Sequence, residues 1–261
     1  MFKYLIKKTI KSIQYLYYSI NFNAKMKQRA IVWNEIHSKN YYEKNYSGEF
    51  NLDPYSLPKD DDELRYFLSN NYLYKMMSKY ITIDNNSVVL DLGCGYGRFV
   101  EFYLPIASFV YAVDVTDYII EICKTKYAGI KNVAFIKNNG YSLEMIDDSS
   151  IDIISCYTVF QHIPRKATQS YLKEFSRIIK PNGIIIIQFS GAQSNNDKRY
   201  NDVGLDTKDY KIQYTKDDIQ ILAMRSKLKI KKLMLTLKEI VKYGIGLQWE
   251  FIIELIILIN P

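Results

Sequence analysis

Asp91, Gly93, Gly95 and Gly97 fall at every second position of the segment Leu90-Asp91-Leu92-Gly93-Cys94-Gly95-Tyr96-Gly97-Arg98. Straight after the apolar run Val88 to Leu92, glycines at that spacing make a turn whose backbone can approach a ligand where a Cβ would collide. The helical pattern that follows can offer N–H groups to the polar end of that ligand. A second apolar run, Phe109 to Val115, carries Asp114 near its end. An acid about twenty residues past such a turn can accept from both hydroxyls of a ribose, because a carboxylate has acceptor lone pairs on two oxygens. The other role open to Asp114 is capping the next helix, which Thr116-Asp117 would begin. The combination points to a nucleoside-containing cofactor. The spacing is not the G-x-G-x-x-G of a dinucleotide site, and there is no G-x-x-x-x-G-K-[ST] phosphate loop.

Asp91-x-Gly93-x-Gly95-x-Gly97 together with Asp114 resembles the class I S-adenosylmethionine-dependent methyltransferases of the small-molecule type. Three later landmarks agree with that family in content and order. Ile151-Asp152-Ile153-Ile154-Ser155-Cys156 resembles its fourth strand, and Phe160-Gln161-His162-Ile163-Pro164 the segment just after it. Ile179-Lys180-Pro181-Asn182-Gly183, followed by Ile184 to Phe189, resembles its passage from helix through turn to fifth strand. The resemblance covers roughly residues 60–260. It implies S-adenosylmethionine as cofactor, leaving as S-adenosylhomocysteine. It places that cofactor against Asp91, Gly93, Cys94, Gly95, Gly97, Asp114, Val115, Asn139, Gly140, Cys156 and Tyr157. Asn139 stands where the family carries an acid or amide toward the adenine amino group; a plain Asn-Gly turn is the alternative. Cys156 and Tyr157 are expected at the methionine end.

Methyl transfer from a sulfonium is an in-line displacement in which positioning supplies much of the acceleration. An oxygen acceptor must also lose a proton, so a base helps. Of the two histidines, His37 and His162, the second follows the fourth strand on the side where an acceptor enters. His162 is therefore the candidate catalytic base, with loop support or substrate binding as its other open roles. The three cysteines, Cys94, Cys123 and Cys156, show no metal-ligand spacing and read as reduced thiols of a cytosolic protein. No metal is expected.

The elements that must position these residues alternate. Strands are predicted near 88–93, 108–115, 133–138, 151–157 and 184–190, with helices near 97–104, 116–128 and 165–180. Such alternation requires a parallel sheet with right-handed crossovers and helices on both faces. Thr215 is the predicted cap of a further helix, with Asp218 three residues on. Strands near 229–236 and 250–259 complete the pattern. The expected fold is α/β, a Rossmann-like three-layer sandwich. The family implies a seven-stranded, mostly parallel sheet whose last strand inserts antiparallel, preceded by an N-terminal helical extension. The expected organisation is an extension over 1–59 and a methyltransferase domain over 60–261.

With 261 residues and 48% hydrophobic content the chain can bury a sizeable core. Its net charge of +7 is uneven: +6 over residues 1–50, −3 over 51–224 and +4 over 225–261. A nucleic-acid enzyme would carry a basic surface around its site, so a nucleic acid is not the expected partner. A small-molecule or glycan-precursor acceptor, methylated at oxygen, is the leading reading. The alternatives are an RNA or protein methyltransferase and a non-enzymatic module that kept the fold. Residues 2–20 form a predicted amphipathic helix with Lys3, Lys7, Lys8 and Lys11 on its polar side. It can pack on the protein as a lid or dimer element, or lie peripherally on an anionic membrane surface. Tyr41, Tyr42 and Tyr46, and the polar stretch 190–214, are candidates for the acceptor pocket.

Overall fold

The computed structural model describes residues 22–36, 81–192, 212–241 and 247–257. Its strands are β1 (Val88–Leu92), β2 (Phe109–Asp114), β3 (Val133–Lys137), β4 (Ile151–Cys156), β5 (Ile179–Ser190), β6 (Ile230–Val241) and β7 (Leu247–Ile257). They form one sheet in the order β3-β2-β1-β4-β5-β7-β6. The first five pair in parallel, and β7 runs antiparallel between β5 and β6. The helices are α1 (Phe22–Ile36), α2 (Arg98–Tyr103), α3 (Asp117–Lys126), α4 (Arg165–Ile178) and α5 (Lys216–Arg225), with a 3-10 turn at Phe160–His162.

Strand order reverses beside β1: the chain goes from β1 to β2 and β3 on one side, then returns to β4 on the other. At such a switch point the loops leaving the strands' carboxyl ends diverge and leave a crevice. The glycine turn lies there. Alternation along the strands divides the interior into two layers. Leu90, Leu92, Ile154 and Cys156 face one layer, with Phe160, Tyr171 and Phe175. Val89 and Ile153 face the other, with Phe99, Val100, Ile119 and Ile120. Helix α4 serves the first layer because Ala167, Tyr171, Leu172, Phe175 and Ile178 fall on one face at helical spacing.

Two local expectations are refined. Helix α4 stops at Ile178, and β5 begins at Ile179, ahead of the predicted start at 184. Pro181 disfavours helical backbone at Lys180, and Lys180 instead pairs with Asp152 at 2.7 Å. The Asn182-Gly183 turn becomes an irregularity in β5, whose pairing with β4 jumps between Ile151 and Ile153. The Thr215 cap forms as a capping box, with Thr215 and Asp218 bonding each other's main chain. Helix α1 was not anticipated as a separate element. Residues 2–20, His37 and Tyr41, Tyr42 and Tyr46 lie outside the described residues, as does most of 190–214. Among the described residues no helix is long and apolar enough to cross a membrane.

Ile154 is fully buried at the centre of the sheet. Ile154→Ala is expected to lower stability by about 2–5 kcal/mol through lost transfer energy and the cavity left behind, read as a shifted midpoint in urea denaturation.

Candidate functional site

The site begins with the end of β2 gripping the glycine turn. The Val113 carbonyl accepts the N–H groups of Gly93 (2.7 Å) and Cys94 (3.1 Å). Asp114 extends the grip: Oδ2 accepts the Gly95 N–H at 3.2 Å and Oδ1 the Thr116 N–H at 2.9 Å. Three successive N–H groups of the turn are thus committed to protein acceptors, which is unlike a phosphate cradle, where they face the ligand. Each Asp114 oxygen retains acceptor capacity, in a residue that lines the cavity.

All three glycines have positive φ: 75° at Gly93, 51° at Gly95 and 90° at Gly97. A Cβ on Gly93 would come within 2.2 Å of Val159, and one on Gly97 within 2.7 Å of the Tyr127 hydroxyl. A Cβ on Gly95 would meet no protein atom within 4 Å. Gly93 and Gly97 therefore permit close packing of chain on chain, whereas Gly95 keeps space clear at the cavity.

That cavity measures about 300 Å³ and sits at the carboxyl ends of β1, β2 and β4. The volume is at the lower end of the range for ligand pockets. Of the sequence-predicted residues it brings together Asp91, Gly93, Cys94, Gly95, Asp114, Val115, Gly140, Tyr157 and His162. Three others lie off its wall. Gly97 caps α2 against Tyr127. Cys156 points into the apolar layer with Leu92 and Phe160. Asn139 is turned into its own loop, where Oδ1 accepts the N–H groups of Tyr141 and Ser142 and Nδ2 donates to Ser142 Oγ. The neighbouring Asn138 takes its place on the wall, held by Nδ2–H donation to Tyr171 Oη at 2.7 Å. Residue type could not separate the two asparagines; only the turn's geometry does.

Asp91 is the electrostatic centre of the site. It is buried, and its Oδ1 accepts from Ser155 Oγ at 2.8 Å, the two residues being register partners on β1 and β4. Its Oδ2 has no hydrogen-bond partner among the described residues. Burial pushes its carboxyl up to about 7, with Ser155 opposing the rise and Asp114 adding to it. A buried acceptor left unsatisfied on a cavity wall is costly unless a cationic or hydrogen-bond-donating ligand meets it. The buried cysteines serve differently. Burial raises Cys94 and Cys156 well above the ordinary thiol value, so both are neutral thiols without nucleophilic character at neutral pH. Among the described residues no cluster of three His, Cys, Asp or Glu side chains is placed to hold a metal ion.

Thr158, past the end of β4, has φ 59°. That conformation is unusual for a β-branched residue and marks the turn that leads to the wall segment. The 3-10 turn that follows delivers His162, whose Nε2 lies 3.0 Å from Gln161 Nε2. Helix α1 supplies the wall residues missed by the sequence reading, Met26, Arg29, Ala30 and Trp33.

The fit to a nucleoside carrying an amino-acid tail rests on these features: a two-oxygen acceptor at Asp114, free space at Gly95, and an unsatisfied buried carboxylate oxygen at Asp91. Comparison with known proteins agrees. Residues 90–187 match the family model described as a methyltransferase domain. The N-terminal Xaa-Pro-Lys N-methyltransferase 1 of Rattus norvegicus is 30% identical over 131 residues, 48% of this chain and 57% of that protein. The ubiquinone biosynthesis O-methyltransferase of Saccharophagus degradans is 27% identical over 114 residues, 43% of this chain and 46% of that one. The match thus spans about half the length of these curated relatives. A solved S-adenosylmethionine-dependent methyltransferase from Methanosarcina mazei superimposes with TM-score 0.55 at 18% identity, covering 72% of this chain and 99% of that one. It shares the fold.

The raised carboxyl of Asp91 has a stability consequence. The ligand-free folded protein keeps a proton on Asp91 up to about pH 7, whereas an unfolded carboxyl loses it near 4. Stability from this group is therefore greatest at low pH and falls as pH rises between those values, by at most about 1.4 kcal/mol per pH unit. Urea denaturation of wild type and Asp91→Asn from pH 5 to 8 should show the difference in unfolding free energy turning against wild type up to about pH 7, then levelling. A pH-independent difference would contradict the assignment.

Proposed function

We propose that this chain, whose core is a class I S-adenosylmethionine-dependent methyltransferase domain, transfers a methyl group to an oxygen of a small-molecule or glycan-precursor acceptor by in-line displacement. The observation that carries the reading is the pairing of a cofactor-type wall, Asp91 with Asp114, with an imidazole, His162, in one cavity. When bound, S-adenosylmethionine supplies an electrophilic methyl group on a positively charged sulfur.

The residues of this chain have separable tasks. Asp114 holds the ribose hydroxyls through the lone pairs not used by Gly95 and Thr116. Gly95 leaves the nucleoside room. Asp91, with its unsatisfied Oδ2, offers a negative charge to the cationic part of the ligand, which draws the carboxyl toward its ionised form on binding. Tyr157 and Val115 add apolar wall. His162 takes the proton of the acceptor hydroxyl at Nε2, where the hydroxyl displaces the Gln161 amide. Excluding water strengthens each of these electrostatic contacts.

The mildly acidic segment 51–224 supports a small acceptor over a polyanion. Transfer to a protein amine is the second reading. It rests on the similarity to the Xaa-Pro-Lys N-methyltransferase, and it needs no base beyond the solvent if the amine arrives neutral.

Labelled methyl donor incubated with the full chain and with the small-molecule, protein and RNA fractions of a cell extract distinguishes these readings. Label entering the small-molecule fraction is expected, and label confined to protein or RNA would replace the leading reading. His162→Ala should lower that transfer by about 100-fold or more, the ordinary contribution of a positioned base. Its affinity for S-adenosylhomocysteine should stay within about threefold, as for a group that makes no cofactor contact. Asp114→Ala should do the opposite first, weakening S-adenosylhomocysteine binding at least about tenfold in calorimetry through loss of charge-assisted hydrogen bonds.

A further inference from the structure

The 3-10 turn carrying His162 has three consecutive carbonyls, and each accepts from a remote donor. Tyr214 Oη–H donates to Phe160 at 3.2 Å. The Ile212 N–H donates to Gln161 at 2.7 Å. Arg29 Nε–H donates to His162 at 3.0 Å. A short 3-10 segment has weak internal bonding, so these outside donors set its orientation. Tyr214 and Ile212 belong to the core and follow the polar stretch after β5, while Arg29 reaches in from α1.

Helix α1 also holds the His162 ring. Trp33 meets the imidazole nearly perpendicular, at 81° with centroids 5.0 Å apart, and the Arg29 guanidinium carbon lies 5.8 Å from the Trp33 ring. Arg29 is 1% exposed. A guanidinium so buried is retained only where it is firmly held, because its desolvation is expensive. An edge-to-face contact sets a ring plane, which for an imidazole is the direction of its nitrogen lone pair. The helix is anchored at the other rim of the cavity as well, where Asn34 Oδ1 accepts the Asp117 N–H at 3.0 Å.

We propose that Arg29 and Trp33 are positioning residues for His162: Arg29 fixes its main chain and Trp33 its ring plane, so that α1 completes the proton-accepting side of the site. The inference rests on the reading of His162 as the base. It assigns α1 a task that the resemblance to known methyltransferases does not supply, and it explains why an arginine occupies the middle of a buried helix face.

The test uses the full chain and NMR of its two histidines, with His37→Gln assigning the His162 signals. Arg29→Met and Trp33→Leu should each displace the His162 imidazole resonances and lower methyl transfer at least about tenfold, since small misplacements of a reacting group cost that much. Affinity for S-adenosylhomocysteine should stay within about threefold, the mark of a group that acts only on the reacting step. Arg29→Lys, which keeps a donor for the His162 carbonyl, should recover part of the transfer. Unmoved His162 resonances in a folded variant would overturn the proposal. So would a loss of cofactor affinity as large as the loss of transfer, which would make Arg29 a cofactor ligand. If Arg29→Met does not fold, Arg29→Lys decides by the same readouts and Trp33→Leu by transfer against cofactor affinity, because loss of the indole ring current shifts the His162 signals by itself. The resonances need no acceptor, so His162 signals displaced by an Arg29 variant support the positioning role even where transfer to the chosen acceptor fails.

Discussion

The site depends on one interaction: the end of β2 gripping the turn that leaves β1. The Val113 carbonyl and the Asp114 carboxylate together take the N–H groups of Gly93, Cys94 and Gly95. Each bond is worth only about 1 kcal/mol in net stability. Together they fix a turn whose glycines stand at positive φ and would otherwise sample many shapes. The same grip orients Asp114, since both its oxygens are engaged by main-chain N–H groups. A carboxylate held in that way presents its remaining lone pairs in a fixed direction, which recognition of two adjacent hydroxyls requires. The turn and the acid are therefore one device.

Around that device the chain stores an electrostatic imbalance. Asp91 stands one strand away with one oxygen satisfied by Ser155 and the other unmet, and burial keeps it protonated to about pH 7. A folded protein tolerates such a group where a ligand relieves it. On the far wall, α1 and the 3-10 turn bring His162 into the same space. The cavity thus has an acidic side suited to a cationic nucleoside and an imidazole side suited to a proton. Its two sides are built by different parts of the sequence, and α1 connects them through Asn34 and Arg29.

Much of this was legible in the residues. The first four strands fell within a residue of their expected places because buried parallel strands are continuous apolar runs closed by turn residues. The spacing of Asp91, Gly93, Gly95 and Asp114 along adjoining elements was legible, and the fold brings these four to one cavity, whereas Gly97 turns to the start of α2. The failures share a cause. Helix α1 was hidden because its buried face runs Met26, Arg29, Val32, with a cation where the periodicity needs an apolar residue, while Ile31 stands exposed. Cys156 and Asn139 lie beside wall residues in sequence yet face elsewhere, because strand alternation turns one inward and an Asn-based turn closes on the other. Arg29 gave no motif at all, since its partner lies 133 residues away. Local pattern reports which elements exist and carries little about which distant side chains meet.

On this reading the cavity at β1 and β2 takes S-adenosylmethionine. The most direct measurement is a calorimetric titration of the full chain with S-adenosylhomocysteine, run beside an identical titration with a nicotinamide dinucleotide. Saturable one-to-one binding of S-adenosylhomocysteine with no heat from the dinucleotide is the expected result. Absence of S-adenosylhomocysteine binding, or tighter binding of the dinucleotide, would contradict it.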